Sequence, residues 1–315
     1  MPDVLVLSAA DVERALDLDE LLDTLADGFR ALSSREVDAP ARNGITTDRG
    51  FVLAMPAWRR GGPVSVKLVT VFEENDPAVI PTHQALLCLI DEATGSVRTV
   101  MDGTYVTAVR TNGAAALSAR LLARPDAAVL AIVGAGVQGE VALRMFPRVR
   151  EIQEIRVASK RPEDAERLAS RDPRARAVRS AEEAVRGADI VALSTHAYEP
   201  VAEPEWFAPG AHVTSVGYAP PAGELHPGIL DRGSLFVETR EAFEPPPVGC
   251  GELAGRDPAL GAELGEVLLN IRPGRRDAGE LTVYKAMGHA MEDMVAARLA
   301  DSRAREAGLG RVVPL

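Results

Sequence analysis

Gly134-Ala135-Gly136-Val137-Gln138-Gly139 is the stretch whose reading decides the fold of this chain. Before it runs Ala128-Val129-Leu130-Ala131-Ile132-Val133, which has pure strand character. After it comes the helix-prone Glu140-Val141-Ala142-Leu143-Arg144-Met145. Strand, G-x-G-x-x-G, helix is the context of a dinucleotide-binding turn. The first glycine permits a tight turn, and the second lets the backbone approach a pyrophosphate. The third lets the helix pack closely on its strand, with its N-terminus facing the anion. A nicotinamide or flavin dinucleotide is the ligand this arrangement predicts.

Working outward, the rhythm from Ala127 onward is strand-helix-strand. Strands are expected at 128–133, 154–159, 189–194, 211–216 and 235–238. Ser180 caps a helix with Glu183 three residues on, and Gly187 ends it. Such alternation makes a doubly wound parallel sheet covered by helices, an α/β fold of Rossmann type. Upstream, Ser8-Ala9-Ala10-Asp11 reads as a capped helix start, and Leu18 to Leu32 has apolar residues at helical spacing. Strands are expected over Phe51–Met55, Val64–Phe72 and Ala85–Ile90, separated by turns at Gly61-Gly62-Pro63 and Asn75-Asp76-Pro77. This region reads as α+β with an antiparallel sheet. A helix over Tyr105–Arg124 bridges the two regions, and a last helix is expected over Val283–Ala300. Pro245-Pro246-Pro247 marks a loop.

A length of 315 residues predicts about two domains. The net charge of -11 argues against nucleic acid and anionic membrane as partners. Cys88 and Cys250 are far apart and lack metal-ligand spacing, so they read as reduced thiols of a cytoplasmic protein. The start has no signal pattern, and no apolar run reaches membrane-span length. His196, His212, His226 and His289 also lack metal-ligand spacing, so no metal is expected.

The end of the second nucleotide-domain strand reads Ala158-Ser159-Lys160-Arg161. An acid there would accept hydrogen bonds from a ribose 2′-OH. A hydroxyl and two cations suit a 2′-phosphate instead, so NADP(H) is favoured and NAD(H) is the alternative. Glu163 and Asp164, close by, are the acids that favour the alternative.

Three cations upstream complete the candidate chemistry. Lys67 lies inside the apolar run Val64-Ser65-Val66-Lys67-Leu68-Val69, Arg110 lies on the bridging helix, and Arg42 precedes the strands. Several segments then resemble, in order, the ornithine cyclodeaminase/mu-crystallin family: Val66–Phe72, Pro81-Thr82-His83-Gln84-Ala85, Met101–Thr111, the glycine turn, Glu263–Val267 and Thr282–Asp293. The resemblance implies a substrate-binding and dimerisation domain of residues 1–120, completed by 283–315, around a Rossmann domain of residues 121–282. It implies a homodimer, and an imino- or amino-acid substrate whose carboxylate is held by Arg42, Lys67 and Arg110. Met55, Trp58, Met287 and Gly288 line the pocket on the same basis. Thr111, Ser194, Thr195, Val216, Gly217 and Tyr218 join Gly134–Gly139 and Ser159, Lys160 and Arg161 in holding the cofactor. Two guanidinium forks and an ammonium agree chemically with a bound carboxylate.

True cyclodeaminases of that family carry an acid after the strand at 211–216. Here Ala219, or Tyr218 with a one-residue slip, takes its place, and Glu224 is the nearest carboxylate. A methyl group or a phenol with pKa about 10 cannot take a proton at neutral pH. The departure moves the expectation toward the mu-crystallin-like branch, with NAD(P)H-dependent reduction of a ketimine to an amino acid. Lys67 is the first candidate proton donor and His83 the second. An alanine-type amino-acid dehydrogenase, a cyclodeaminase-like enzyme and a non-catalytic NADPH-binding protein are the alternatives.

Overall fold

A computed structural model describes residues 3–76 and 79–314 of the chain. The last residue of the turn expected at Asn75-Asp76-Pro77 therefore lies outside the described residues. The chain divides into two compact units, Met1–Arg110 with His289–Leu315, and Thr111–Gly288.

The first unit begins with β1 (Asp3–Leu7), α1 (Ala9–Ala15), α2 (Leu18–Ser33) and β2 (Val37–Asp38). There follow β3 (Asn43–Thr47), β4 (Gly50–Arg59), β5 (Val64–Val71), β6 (His83–Ile90) and β7 (Val97–Asp102), and then α3 (Gly103–Leu122), within which the division falls. Ser8 and Asp11 form the capping box of α1, each side chain accepting from the other's backbone N–H. The apolar stripe of α2 is buried from Leu18 to Phe29, while its first turn carries Asp19 and Glu20.

The second unit holds β8 (Val129–Val133), α4 (Val137–Met145), β9 (Glu154–Ala158), α5 (Pro162–Ala169), β10 (Ala175–Ala177) and α6 (Ala181–Val185). It continues through β11 (Ile190–Leu193), β12 (His212–Ser215), α7 (Pro227–Arg232), β13 (Ser234–Val237), β14 (Gly261–Glu263), α8 (Leu264–Leu268) and β15 (Thr282–Lys285). α9 (Ala290–Glu306) and β16 (Arg311–Pro314) return to the first unit.

The second unit's sheet runs β10-β9-β8-β11-β12-β15-β13-β14, and its ladders are parallel. This is the doubly wound Rossmann-type arrangement. The chain steps outward from β8 on one side and then crosses to β11 on the other. The glycine turn leaves the end of β8 beside that switch point, where open α/β sheets bind ligands. Ser180 caps α6 by accepting from Glu183 N.

The first unit's sheet runs β16-β1-β7-β6-β5-β4-β2, with β3 also paired to β4. Its β3-to-β7 ladders are antiparallel, as the turn signals require. β1, not among the strands expected from the sequence, joins this sheet parallel to β7. α1, α2 and α9 pack together, and α9 covers β4, β5 and β6.

The expected last helix over Val283–Ala300 needs a correction. Thr282–Lys285 is a buried strand between β12 and β13, and the helix begins only at Ala290, after His289 caps it. A strand buried on both faces shows no alternation, so its apolar run cannot be told by period from a buried helix. Its β-branched and aromatic residues, Thr282, Val283 and Tyr284, were the available signal.

Candidate active site

In the second unit, each glycine of the turn has its own reason. Gly134 adopts φ +107°, which L side chains rarely adopt, and a Cβ there would meet Ser194 O. A Cβ on Gly139 would fall 2.0 Å from Gly134 O, so the helix packs on the turn only without one. A Cβ on Gly136 would meet nothing within 4 Å. The space in front of the α4 N-terminus is therefore open, with Ala135 buried behind it and Val137 exposed beside it. Gln138 is pinned by Asn112 Nδ2, which donates to its backbone O and to its Oε1. That fixes the first turn of α4 to α3 next to the buried Thr111. The buried Ser194 Oγ has no partner among the described residues. An open anion-facing helix end and an unpartnered buried hydroxyl on the neighbouring strand end fit a dinucleotide.

Ser159 follows the end of β9, and its Oγ accepts from Arg161 N. Lys160 is exposed. Arg161 is ion-paired with Asp164, which also pairs with Arg167. The acid suspected of favouring NAD(H) is thus engaged with the arginine at this strand end.

The loops after β11 and β12 converge on Glu224. Its Oε2 accepts from Thr195 N and Thr195 Oγ1, both at 2.7 Å, and its Oε1 from Ser215 Oγ and Gly217 N. Glu224 is a buried brace with its lone pairs taken up, not a stand-in for the missing acid. Lys285, at the end of β15, donates to Gly217 O, Ser215 Oγ and Glu252 Oε1. Both backbone polar groups of Gly217 are thereby fixed, which sets the entry to half-buried Val216 and Tyr218. Ala219 is buried, a methyl group at the position where cyclodeaminases of the resembling family carry an acid. Glu238 accepts from Met287 N and Gly288 N, each at 2.8 Å, and shapes that turn. His212 is enclosed between Ser118 Oγ and Thr282 Oγ1, and burial drives it down to about 3, so it is a neutral core histidine. Among the described residues, no group of His, Cys, Asp or Glu is placed to hold a metal ion.

The first unit contains the cations. Alternation along β5 puts Lys67 on the sheet face that α9 covers, where it is buried. Its Nζ lies 2.6 Å from Asp293 Oδ2. Arg110, also buried, gives Nε to Asp293 Oδ1 at 2.9 Å and Nη1 to Glu292 Oε2 at 2.7 Å. Burial pulls Lys67 down to about 8; Asp293 opposes this, and the positive Arg110 and Arg42 add to it. Burial raises Asp293, but Arg110 and Lys67 together hold it below the usual carboxylate range.

Sequence reasoning named the three cations and missed the two acids. The signal was present in Glu292-Asp293, acidic residues in the first turn of an otherwise buried helix, where charged side chains require partners.

Met55 is the register partner of Lys67 on β4 and is buried on the same face. His83 shares that face through its pairing with Val71 but is exposed. It stands four residues along β6 from Leu87, the partner of Lys67, about 13 Å away along the strand. Trp58 falls on the opposite face of β4 from Met55 and donates its Nε1 to Glu92, which separates it from the expected lining.

A Rossmann-type unit with an open helix N-terminus at its glycine turn, and an α+β unit with a buried cation-acid cluster, define a nucleotide-dependent enzyme class. Residues 3–308 match the profile of the Ornithine cyclodeaminase/mu-crystallin family, and the chain belongs to that family. Among its relatives is the ketimine reductase mu-crystallin of Mus musculus, 36% identical over 302 residues, covering 93% of this chain and 95% of the relative. Among solved structures, the Thermococcus litoralis Delta(1)-pyrroline-2-carboxylate reductase in complex with NADH and L-proline superposes with a TM-score of 0.91 at 30% identity, covering 98% of this chain and all of the other. An archaeal alanine dehydrogenase, a dimer with bound NAD, follows with a TM-score of 0.89 at 25% identity and full coverage of both chains.

Proposed function

We propose that this protein reduces imine or ketimine carboxylates to amino acids with a nicotinamide cofactor. The observation that carries the reading is the buried Lys67 ammonium. Held by Asp293 and crowded by Arg110 and Arg42, it keeps a proton that it can release near neutral pH. The reductase and dehydrogenase names of the relatives support the same class of chemistry.

In this reading, Arg42 and Arg110 orient the substrate carboxylate. A reduced nicotinamide bound at the glycine turn would supply the hydride equivalent for the imine carbon. Lys67 passes its proton to the imine nitrogen, so that C=N becomes CH–NH, and neutral Lys67 is reprotonated from solvent. His83, exposed and farther along the sheet, is the second candidate donor. Ala219 offers no base for expelling ammonia, which sets the reading apart from cyclodeamination.

Gly134–Gly139, Thr111, Ser194, Thr195, Val216, Gly217 and Tyr218 hold the cofactor in this reading, and Met55, Met287 and Gly288 contact the substrate. Residues 1–120 with 283–315 then serve substrate binding and dimerisation, and residues 121–282 the dinucleotide. Ser159, Lys160 and Arg161 favour NADP(H) over NAD(H). The unpaired Cys88 and Cys250 suit a reducing cytoplasm, and no helix among the described residues is long and apolar enough to cross a membrane.

A homodimer is supported by the sheet face opposite Lys67. It exposes Val6, Ile45, Leu68 and Leu86, more apolar surface than a solvated sheet face usually presents. Leu68→Asp with Leu86→Asp is expected to halve the mass measured by light scattering; an unchanged mass rules out this face.

The test of function is spectrophotometric: oxidation of NADPH and NADH across cyclic and acyclic imines of several ketoacids, beside ketoacid plus ammonia. Turnover of preformed imines is expected. Turnover only with ketoacid and free ammonia assigns the alanine dehydrogenase reaction instead, and tight cofactor binding with no turnover assigns a binding protein.

A further inference from the structure

The chain contains only three lysines among its 35 basic residues: Lys67, Lys160 and Lys285. Where arginine is so dominant, a buried lysine marks a place that a guanidinium does not suit. Arginine stays charged in proteins, whereas a buried lysine can titrate. Lys67 is one such place, and charged groups from three elements approach it. Asp293 comes from α9, Arg110 from α3, and Arg42 from the segment before β3, while Glu292 on α9 closes on Arg110.

The two oxygens of Asp293 are divided, Oδ2 to the ammonium and Oδ1 to the guanidinium. At Lys67 the Asp293 carboxylate favours the charged form, and the positive Arg110 and Arg42 oppose it. A bound carboxylate, as a nearby negative charge, favours the protonated form before reaction.

We propose that Asp293 is a positioning residue of the reaction: its carboxylate bridges Lys67 Nζ and Arg110 Nε, aims the ammonium, and keeps the proton on it until the substrate nitrogen takes it. The geometry supports this independently of any titration. Asp293 is buried, its helix is anchored at its start by the His289 cap, and Lys67 lies on a central strand, so the 2.6 Å contact joins two fixed elements. Without Asp293, the ammonium would face two cations in a buried site and lose its proton far more readily.

This inference rests on Lys67 being the proton donor, and the experiment separates the two. With [13Cε]lysine, the protein gives signals from only three residues, and Lys67→Met identifies that of Lys67. In the unaltered protein the signal should titrate near pH 8. In Asp293→Asn the midpoint should fall by at least about one unit. In Glu292→Gln, which leaves the Lys67 contact in place, it should fall by less than half as much. The alkaline limit of imine turnover should move with the midpoint in Asp293→Asn.

An unmoved midpoint in folded Asp293→Asn overturns the proposal, as does an equal fall in Glu292→Gln, or a moved midpoint with an unmoved pH limit. If Asp293→Asn fails to fold, Asp293→Glu decides. A midpoint kept near that of the unaltered protein with lowered kcat supports the bridge, and a fall of a full unit overturns it. Absence of imine turnover in the unaltered protein overturns the functional reading, whatever the titration shows.

Discussion

Lys67 and Lys285 are both fully buried, and each touches one carboxylate, Asp293 at 2.6 Å and Glu252 at 2.9 Å. Their behaviour diverges. Burial lowers both. At Lys67 the cations Arg110 and Arg42 add to that effect, and the group settles near 8. At Lys285, Glu252, Cys250 and Glu224 act the other way and carry it above an ordinary lysine. Its three N–H donors also meet three acceptors, which matches a tetrahedral ammonium. Burial alone therefore does not set the direction of a buried lysine's shift. The sign of its second neighbours does. Lys67 has two cations nearby and is held below an ordinary lysine, whereas Lys285 has acids nearby and is held above it.

The largest expected effect breaks the comparison if it fails. Lys67→Met should lower imine turnover by about 10²- to 10⁴-fold, with folding and NADPH affinity retained, because Asp293 keeps its contact with Arg110. Steady-state kinetics beside cofactor fluorescence titration measures this. In the unaltered enzyme the donor is charged below its pKa, so turnover should fall as pH rises through about 8.

Lys285→Met should act on the other axis. It leaves Glu252 buried and uncompensated, a cost of about 3–5 kcal/mol that denaturant melts would register. If Lys285→Met loses turnover while keeping full stability, the division into donor and brace is wrong.

The smallest effect belongs to the third lysine. Lys160 is exposed, and Lys160→Ala should leave stability within about 0.5 kcal/mol. If Lys160 meets a 2′-phosphate, the KM for NADPH should rise about 2- to 5-fold, the scale of an exposed ion pair, with that for NADH unchanged. Equal changes for both cofactors would remove Lys160 from the specificity argument.

The legible parts of the molecule are those decided locally. The glycine turn, the Ser8 and Ser180 caps, the α2 stripe and the hairpin strands of the first unit each depend on residues a few positions apart, and they could be read directly. Lys67 was legible as an anomaly, a cation in an apolar strand. Its acid partner was not, because Asp293 reaches it only when α9 folds back over β5. Glu224 looked like a downstream acid of uncertain direction, and its four hydrogen-bond donors come from two separate loops. Trp58 was expected in the pocket lining with Met55 only through the resemblance, and three residues along a strand reverses the face. β15 escaped because burial on both sides erased its period.

By itself, then, the sequence determined the cofactor class, through a backbone turn that only glycine can make, and the cations from which a carboxylate site can be built. The absence of an acid at Ala219 was also readable without coordinates. Tertiary structure alone decided which charges meet. A pKa depends on burial and on every charge within a few ångströms, and those neighbours are brought together from distant parts of the chain by packing. That is why two lysines alike in sequence context, each within an apolar strand, shift in opposite directions once the chain is folded.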